Sequence, residues 1–160
     1  MNKEFEKLYS YSINILAKGP KTKNSMKKKL AERAKNISID KDSSKELIET
    51  ILNRLEEIGL INDMYYISKF VESSQSSKNK KYSKKTIYSK LLQRGISISE
   101  LNEYFSKNPV DDIDAVKSLI EKKSKSLKKF SPDIAKKKLY EYLIRKGFRN
   151  DLIKSQIMLK

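Results

Sequence analysis

Residues 80–97 read KKYSKKTIYSKLLQRGIS, six positive charges without a negative one. Within the stretch Ile87, Tyr88, Leu91 and Leu92 recur at helical spacing. A helix is expected over about residues 83–94, ended by Gly95. The fold turns on whether this helix is alone, and it is not. MKKKLAERA (26–34), IYSKLLQRG (87–95) and LYEYLIRKG (139–147) align so that Leu30, Leu91 and Leu143 coincide. Four residues earlier stand Met26, Ile87 and Leu139, and four later Ala34, Gly95 and Gly147. An apolar residue follows within three residues of each terminator: Ile37, Ile96 and Phe148.

Working outward, each of these helices is expected between two others. Phe5, Leu8, Tyr9, Ser12, Ile15 and Leu16 form a first stripe that stops at Gly19-Pro20. Ser43-x-x-Glu46 reads as a capping box opening a third helix with Leu47, Ile48, Ile51, Leu52, Leu55 and Ile58. Asn62 can cap a fourth helix bearing Tyr66, Ile67, Phe70 and Val71, followed by a polar connection over 73–81. Ser97-x-x-Glu100 reads as a second capping box, opening a helix with Leu101, Tyr104 and Phe105. Pro109 and Asp111-Asp112 introduce a helix carrying Val116, Leu119 and Ile120. Ser131-Pro132-Asp133 supplies a cap, a first-turn Pro and an acid that favours the helix dipole. The last helix carries Leu152, Ile153 and Ile157. The expectation is an all-α protein, an elongated, curved array of three tandem three-helix repeats over 1–60, 61–108 and 109–160. Modules of this size bury little surface alone and should stack as one unit.

Composition narrows the function classes. The chain has 160 residues, a formal net charge of +16, no Cys and no His. Thiolate metal sites and the commonest general base are thereby absent. The few glycines end helices and no phosphate-cradling Gly-rich loop is present. Asp111, Asp112 and Asp114 cluster, but helix N-termini attract acids without any metal. Neither an enzyme nor a cofactor nor a metal site is expected. The first twenty residues carry no apolar core of signal-peptide type, and no stretch reaches membrane-span length. The expectation is a cytoplasmic protein, without membrane contact, acting as a monomer.

Charge is uneven along the chain: eight acids and four bases over 40–72, but twelve bases and three acids over 117–149. Seven residues before each aligned leucine stands Lys23, Lys84 or Lys136, near the expected helix start, where a cation is mildly unfavourable. Three residues after it stands Arg33, Arg94 or Lys146, where a cation suits the helix dipole. A surface of this kind fits an anionic, extended partner. The candidate phosphate contacts are Lys84, Lys85, Lys90 and Arg94, with Lys136, Lys137, Lys138, Arg145 and Lys146. Tyr82 and Tyr88 border the basic run and are candidates for base stacking; Tyr66, Tyr104 and Tyr142 lie on apolar stripes and are expected in the core.

NRLEEIGLINDMYYISKFVES (53–73), the basic stretch quoted first, and YSYSINILAKGPKTKNSMKKKL (9–30) together resemble the RecX family of bacterial RecA-recombinase regulators. The sequence departs from the family pattern at Asn62-Asp63, at Tyr82 and at Ala34-Lys35-Asn36, all of them caps and turns. The resemblance implies a protein that binds the RecA filament on single-stranded DNA. It also implies restraint of the recombinase's ATP hydrolysis, strand exchange and cleavage-promoting activity in repair and the SOS response. Two other readings fit the residues: an independent helix-turn-helix-type DNA-binding or transcriptional regulator, and a scaffold for an acidic protein. Basic positions spread over several repeats, with few base-reading side chains, favour contact with the phosphate backbone over sequence-specific readout.

Overall fold

A computed structural model describes residues 3–76 and 81–158. Among them the chain forms nine α-helices: α1 (Lys3–Leu16), α2 (Lys23–Asn36), α3 (Lys41–Glu57), α4 (Asp63–Ser76), α5 (Lys84–Gln93), α6 (Ile98–Lys107), α7 (Asp112–Leu127), α8 (Pro132–Arg145) and α9 (Asn150–Met158). No strand occurs among the described residues. The fold is the all-α helical repeat that the aligned leucines predict. Of the connection expected over 73–81, residues 73–76 complete α4, while 77–80 lie outside the described residues.

The chain divides into two compact units, one of Met1–Ser68 with Leu91–Leu101 and one of Lys69–Lys90 with Asn102–Lys160. The boundaries fall within α4, α5 and α6. In the first unit Leu8, Met26, Leu30, Ile48, Ile51, Leu52 and Leu55 form a core from α1, α2 and α3. In the second Val116, Leu119, Ile120, Leu139, Leu143 and Ile153 form one from α7, α8 and α9. Leu30, Leu91 and Leu143 are all 0% exposed, so the residue that aligns the repeats is also the one each middle helix buries. Full burial of such a side chain is worth about 1.5–3 kcal/mol.

Several helix ends follow their expected chemistry. The Tyr65 N–H donates to Asn62 Oδ1 at 2.8 Å, so Asn62 caps α4. Ser97 and Glu100 exchange bonds, Ser97 N to Glu100 Oε2 at 2.9 Å and Glu100 N to Ser97 Oγ at 3.2 Å. That reciprocity is the capping box.

Three ends depart from expectation. Asp40, not Ser43, caps α3, taking the N–H groups of Asp42 and Ser43. A carboxylate satisfying two free N–H groups at once outcompetes a hydroxyl three residues later. Ser131 occupies the cap position of α8, but its side chain makes no capping bond; Pro132 at the first turn has no N–H to satisfy and fixes the entry instead. The terminator of α2 is also displaced. α2 matches the helix expected from near Thr22 to about Lys35 with Met26, Leu30 and Ala34 inward, but Ala34 does not end it as Gly95 and Gly147 end theirs, and the helix runs to Asn36. The left-handed residue is Ser38, with φ 59°. The buried apolar residue after it is Ile39, whose N–H reaches back to Ala34 O at 3.1 Å, as Ile96 reaches Leu91 O at 3.2 Å and Phe148 reaches Leu143 O at 3.3 Å. Ile37 therefore does not correspond to Ile96 and Phe148; α2 carries an additional turn before it closes.

Candidate nucleic-acid interface

The starts of α2 and α5 are built alike, and each construction lies within one unit. In the first unit, Asp63 at the start of α4 accepts the Lys23 N–H at 2.9 Å. Thr22 Oγ1 donates to Arg94 O at 2.9 Å, at the end of α5. In the second, Asp112 at the start of α7 accepts the Lys84 N–H at 2.8 Å. Thr86 Oγ1 donates to Lys146 O at 3.1 Å, at the end of α8. Gly95 and Gly147, with φ 81° and 84°, lie against these contacts. A Cβ on Gly95 would collide with the Asn24 side chain, and one on Gly147 with Thr86 Oγ1. The arriving Asp also answers the helix-start lysines: a carboxylate at the helix N-terminus offsets the cation there. Burial pushes both Asp63 and Asp112 above the ordinary carboxylate range, with the donated N–H pulling the other way.

Lys136 does not share this position. It is the fifth residue of α8, which begins one turn earlier than its counterparts because Pro132 opens it. The three lysines aligned in sequence are thus equivalent in two repeats only.

The two units differ in their balance of charge. The first has 14 Lys and Arg against 11 Asp and Glu; the second has 22 against 9. In the first, Lys23 pairs with Glu56 at 2.6 Å and Lys27 pairs with Glu49, so acidic α3 neutralises basic α2. In the second, Lys69 pairs with Glu72 at 2.9 Å, Lys107 with Glu103 at 2.8 Å and Arg149 with Asp151, while other ammonium groups rest on aromatic rings. Lys90 and Lys146 lie 4.9 and 5.3 Å from the Tyr82 ring centre. Lys146 also lies 5.7 Å from Tyr142, which Lys123 approaches to 5.4 Å. Lys84 is 5.4 Å from Phe105, and Lys138 is 4.9 Å from Phe130. A ring orients a cation through its quadrupole for about 0.5–1 kcal/mol at an exposed site and leaves its charge in place. A carboxylate orients a cation and cancels it. The second unit therefore carries the larger surplus of positive charge, and several of its ammonium groups are ordered by rings without a carboxylate partner, which suits contact with phosphates.

Among the predicted cations, Lys90 and Lys146 come together on Tyr82. Lys84 and Lys85 are exposed and line a cleft of about 790 Å³ with Tyr88, Asp111, Asp112 and Arg149. Lys136, Lys137, Lys138 and Arg145 are exposed on α8. Arg94 belongs to the other unit, where its guanidinium lies 6.0 Å from the Tyr66 ring.

The tyrosines are more engaged than the sequence indicates. Tyr82 carries two ammonium groups. Tyr88 donates its hydroxyl to Asn102 Oδ1 at 3.0 Å, and its ring lies 6.0 Å from Phe105. Tyr66, Tyr104 and Tyr142 are half-buried, not fully in the core. Tyr66 and Tyr142 each present a ring to a cation.

Lys123 and Phe130 were not singled out by the repeat alignment. Their sequence signal is slight, dibasic pairs at 122–123 and 128–129, the second followed directly by Phe130. The three acids Asp111, Asp112 and Asp114 have structural duties in two cases. Asp111 caps α7 through the Ile113 N–H at 2.8 Å, and Asp112 receives Lys84. Among the described residues no group of three or more acids is arranged to hold a metal ion. No helix among them is long and apolar enough to cross a membrane.

Comparison with known proteins supplies the family. The family model described as RecX, third three-helix domain, matches residues 110–157. The regulatory protein RecX of Bacillus cytotoxicus is 30% identical over 154 residues, covering 95% of this chain and 53% of that protein. The regulatory protein RecX of Finegoldia magna is 28% identical over 156 residues, covering 94% of this chain and 70% of that protein. The chain thus spans about half the length of the first of these relatives. The crystal structure of RecX from Lactobacillus salivarius superimposes with a TM-score of 0.75 over 99% of this chain and 97% of that one, at 22% identity.

Proposed function

The chain belongs to the RecX family of regulatory proteins, and from that premise we propose that it binds a RecA-type recombinase filament on single-stranded DNA and restrains it. Restraint here means slower ATP hydrolysis, strand exchange and cleavage-promoting activity. The protein acts by binding and not by catalysis. It works in the cytoplasm as a monomer, with 1–60, 61–108 and 109–160 as its three-helix segments.

The observation that carries this reading is the positive surplus of the second unit, 22 Lys and Arg against 9 Asp and Glu, with several of the ammonium groups held on rings. Such charge suits the phosphate backbone, which supplies affinity without sequence information. The first unit, whose acids nearly balance its cations, suits contact with protein instead.

The test is ATP hydrolysis by preformed RecA filaments on single-stranded DNA, with an equally basic unrelated protein as control. Inhibition well below one molecule per recombinase, absent from the control, is expected. Unchanged hydrolysis together with tight binding to bare DNA would transfer the protein to the class of independent DNA-binding proteins.

A further inference from the structure

We propose that the corner between α7 and α8 is a binding site for closely spaced phosphate groups, gripped by Lys123, Lys129, Lys138 and Arg145. This deepens the backbone-contact part of the function proposed above. The corner is a cleft of about 400 Å³ whose walls carry those four cations and one carboxylate, Glu141. Lys138, Glu141 and Arg145 share a face of α8 through their spacing of three and four residues. Phe130 lies at the base of the corner and packs against the core of the second unit. It receives two ammonium groups, Lys138 at 4.9 Å and Lys129 at 5.3 Å from its ring centre. Lys123 is steadied separately by Tyr142 at 5.4 Å.

Holding four cations around one cleft costs electrostatic repulsion, and a single carboxylate leaves a surplus of three positive charges. The rings order three of the four side chains before any ligand arrives, which lowers the entropy lost on binding. One phosphodiester carries a single negative charge. The surplus therefore matches two or three adjacent phosphate groups, from a polynucleotide strand or from the polyphosphate of a nucleotide. The positive surface continues out of the cleft, from Lys123 across Tyr142 to Lys146, then across Tyr82 to Lys90. That continuation favours a strand.

The test is binding of a fluorescein-labelled oligodeoxythymidylate to the full chain, as wild type and as the Lys129→Gln/Lys138→Gln double variant, across a salt series. Both lysines are on the surface, so the variant keeps its melting temperature and helicity. The expected result is an affinity lowered about tenfold. The slope of log affinity against log salt should become shallower by about 1.4, at about 0.7 per lost single-strand phosphate contact. Phe130→Leu retains every charge and removes the ring; weaker binding at an unchanged slope is expected. Wild-type affinity and slope in the double variant would overturn the site. Competition with ATP and with inorganic phosphate distinguishes the sources. Displacement by ATP that disappears in the double variant supports the site and assigns it to free polyphosphate; resistance to both, with the oligonucleotide effect intact, supports it and assigns it to a strand. A protein that leaves recombinase ATP hydrolysis untouched while the double variant still loses the oligonucleotide removes the regulator reading and keeps the corner. The reverse pattern removes the corner alone.

Discussion

Of the four glycines, Gly95 and Gly147 are the ones where an added methyl group meets a neighbour. Each combines a left-handed backbone with a close neighbour across a helix junction. For an L side chain the conformation alone costs about 1–2 kcal/mol. Gly95→Ala and Gly147→Ala should therefore each destabilise by at least that amount, because Asn24 or Thr86 must also move; urea denaturation measures it. Gly59 shares the positive φ but has open space around the position of a Cβ. Gly59→Ala should cost the backbone component only and serves as the comparison.

The carboxylates at helix starts divide by sign. Hydrogen bonding from Ser43 and Asp42 holds Asp40 below its ordinary value. Its contribution to stability is present above the unfolded pKa and is lost as pH falls through the lowered one. Burial raises Asp112, so ionising it in the folded protein is a cost. That cost is absent below the unfolded pKa near 4 and is complete once pH has risen through the folded value. Asp40→Asn should lose melting temperature relative to wild type at pH 7 and approach it at pH 3. Asp112→Asn should shift the other way, improving relative to wild type between pH 3 and pH 7. Parallel melts of both variants across that range check the signs.

At the scale of the element, the three middle helices share a buried leucine and differ in their ends. α5 has 10 residues, while α2 and α8 have 14 each. The extra turn lies at the end of α2 and at the start of α8. Hydrophobic periodicity located all three helices because Met26 and Leu30, and their counterparts, must face inward on any helix of this sequence. It did not locate the ends, where competing caps decide. Asp40 against Ser43 and Ser38 against Ala34 are contests between hydrogen bonds that periodicity does not register. Leu143→Ala should leave a cavity and cost about 2–5 kcal/mol, as is usual for fully buried leucines. The denaturation midpoint should fall while helicity in the folded baseline is retained.

For the whole molecule, the consequence lies in how charge is divided. Lys23 and Lys27 face glutamates, whereas Lys90 and Lys146 face rings. Neutralising the first pair to Gln should leave the salt dependence of single-strand binding unchanged. Neutralising the second pair should make the slope shallower by about 1.4. Equal effects from both pairs would mean that net charge alone governs binding. The candidate cations were legible in sequence as a basic run and a basic third segment. Which of them keep their charge was not, because a carboxylate or a ring meets a lysine only through folding.

The sequence by itself determined the helical class, the threefold recurrence, the buried leucines and the positive field, since periodicity, breakers and composition are local properties. Tertiary structure decided which acid meets which helix start, as Asp63 meets Lys23 and Asp112 meets Lys84. It also decided which rings hold distant lysines, bringing Phe130 under Lys138 and Tyr142 under Lys123. These pairings join residues on different helices or at their ends, and only packing sets the distances between them.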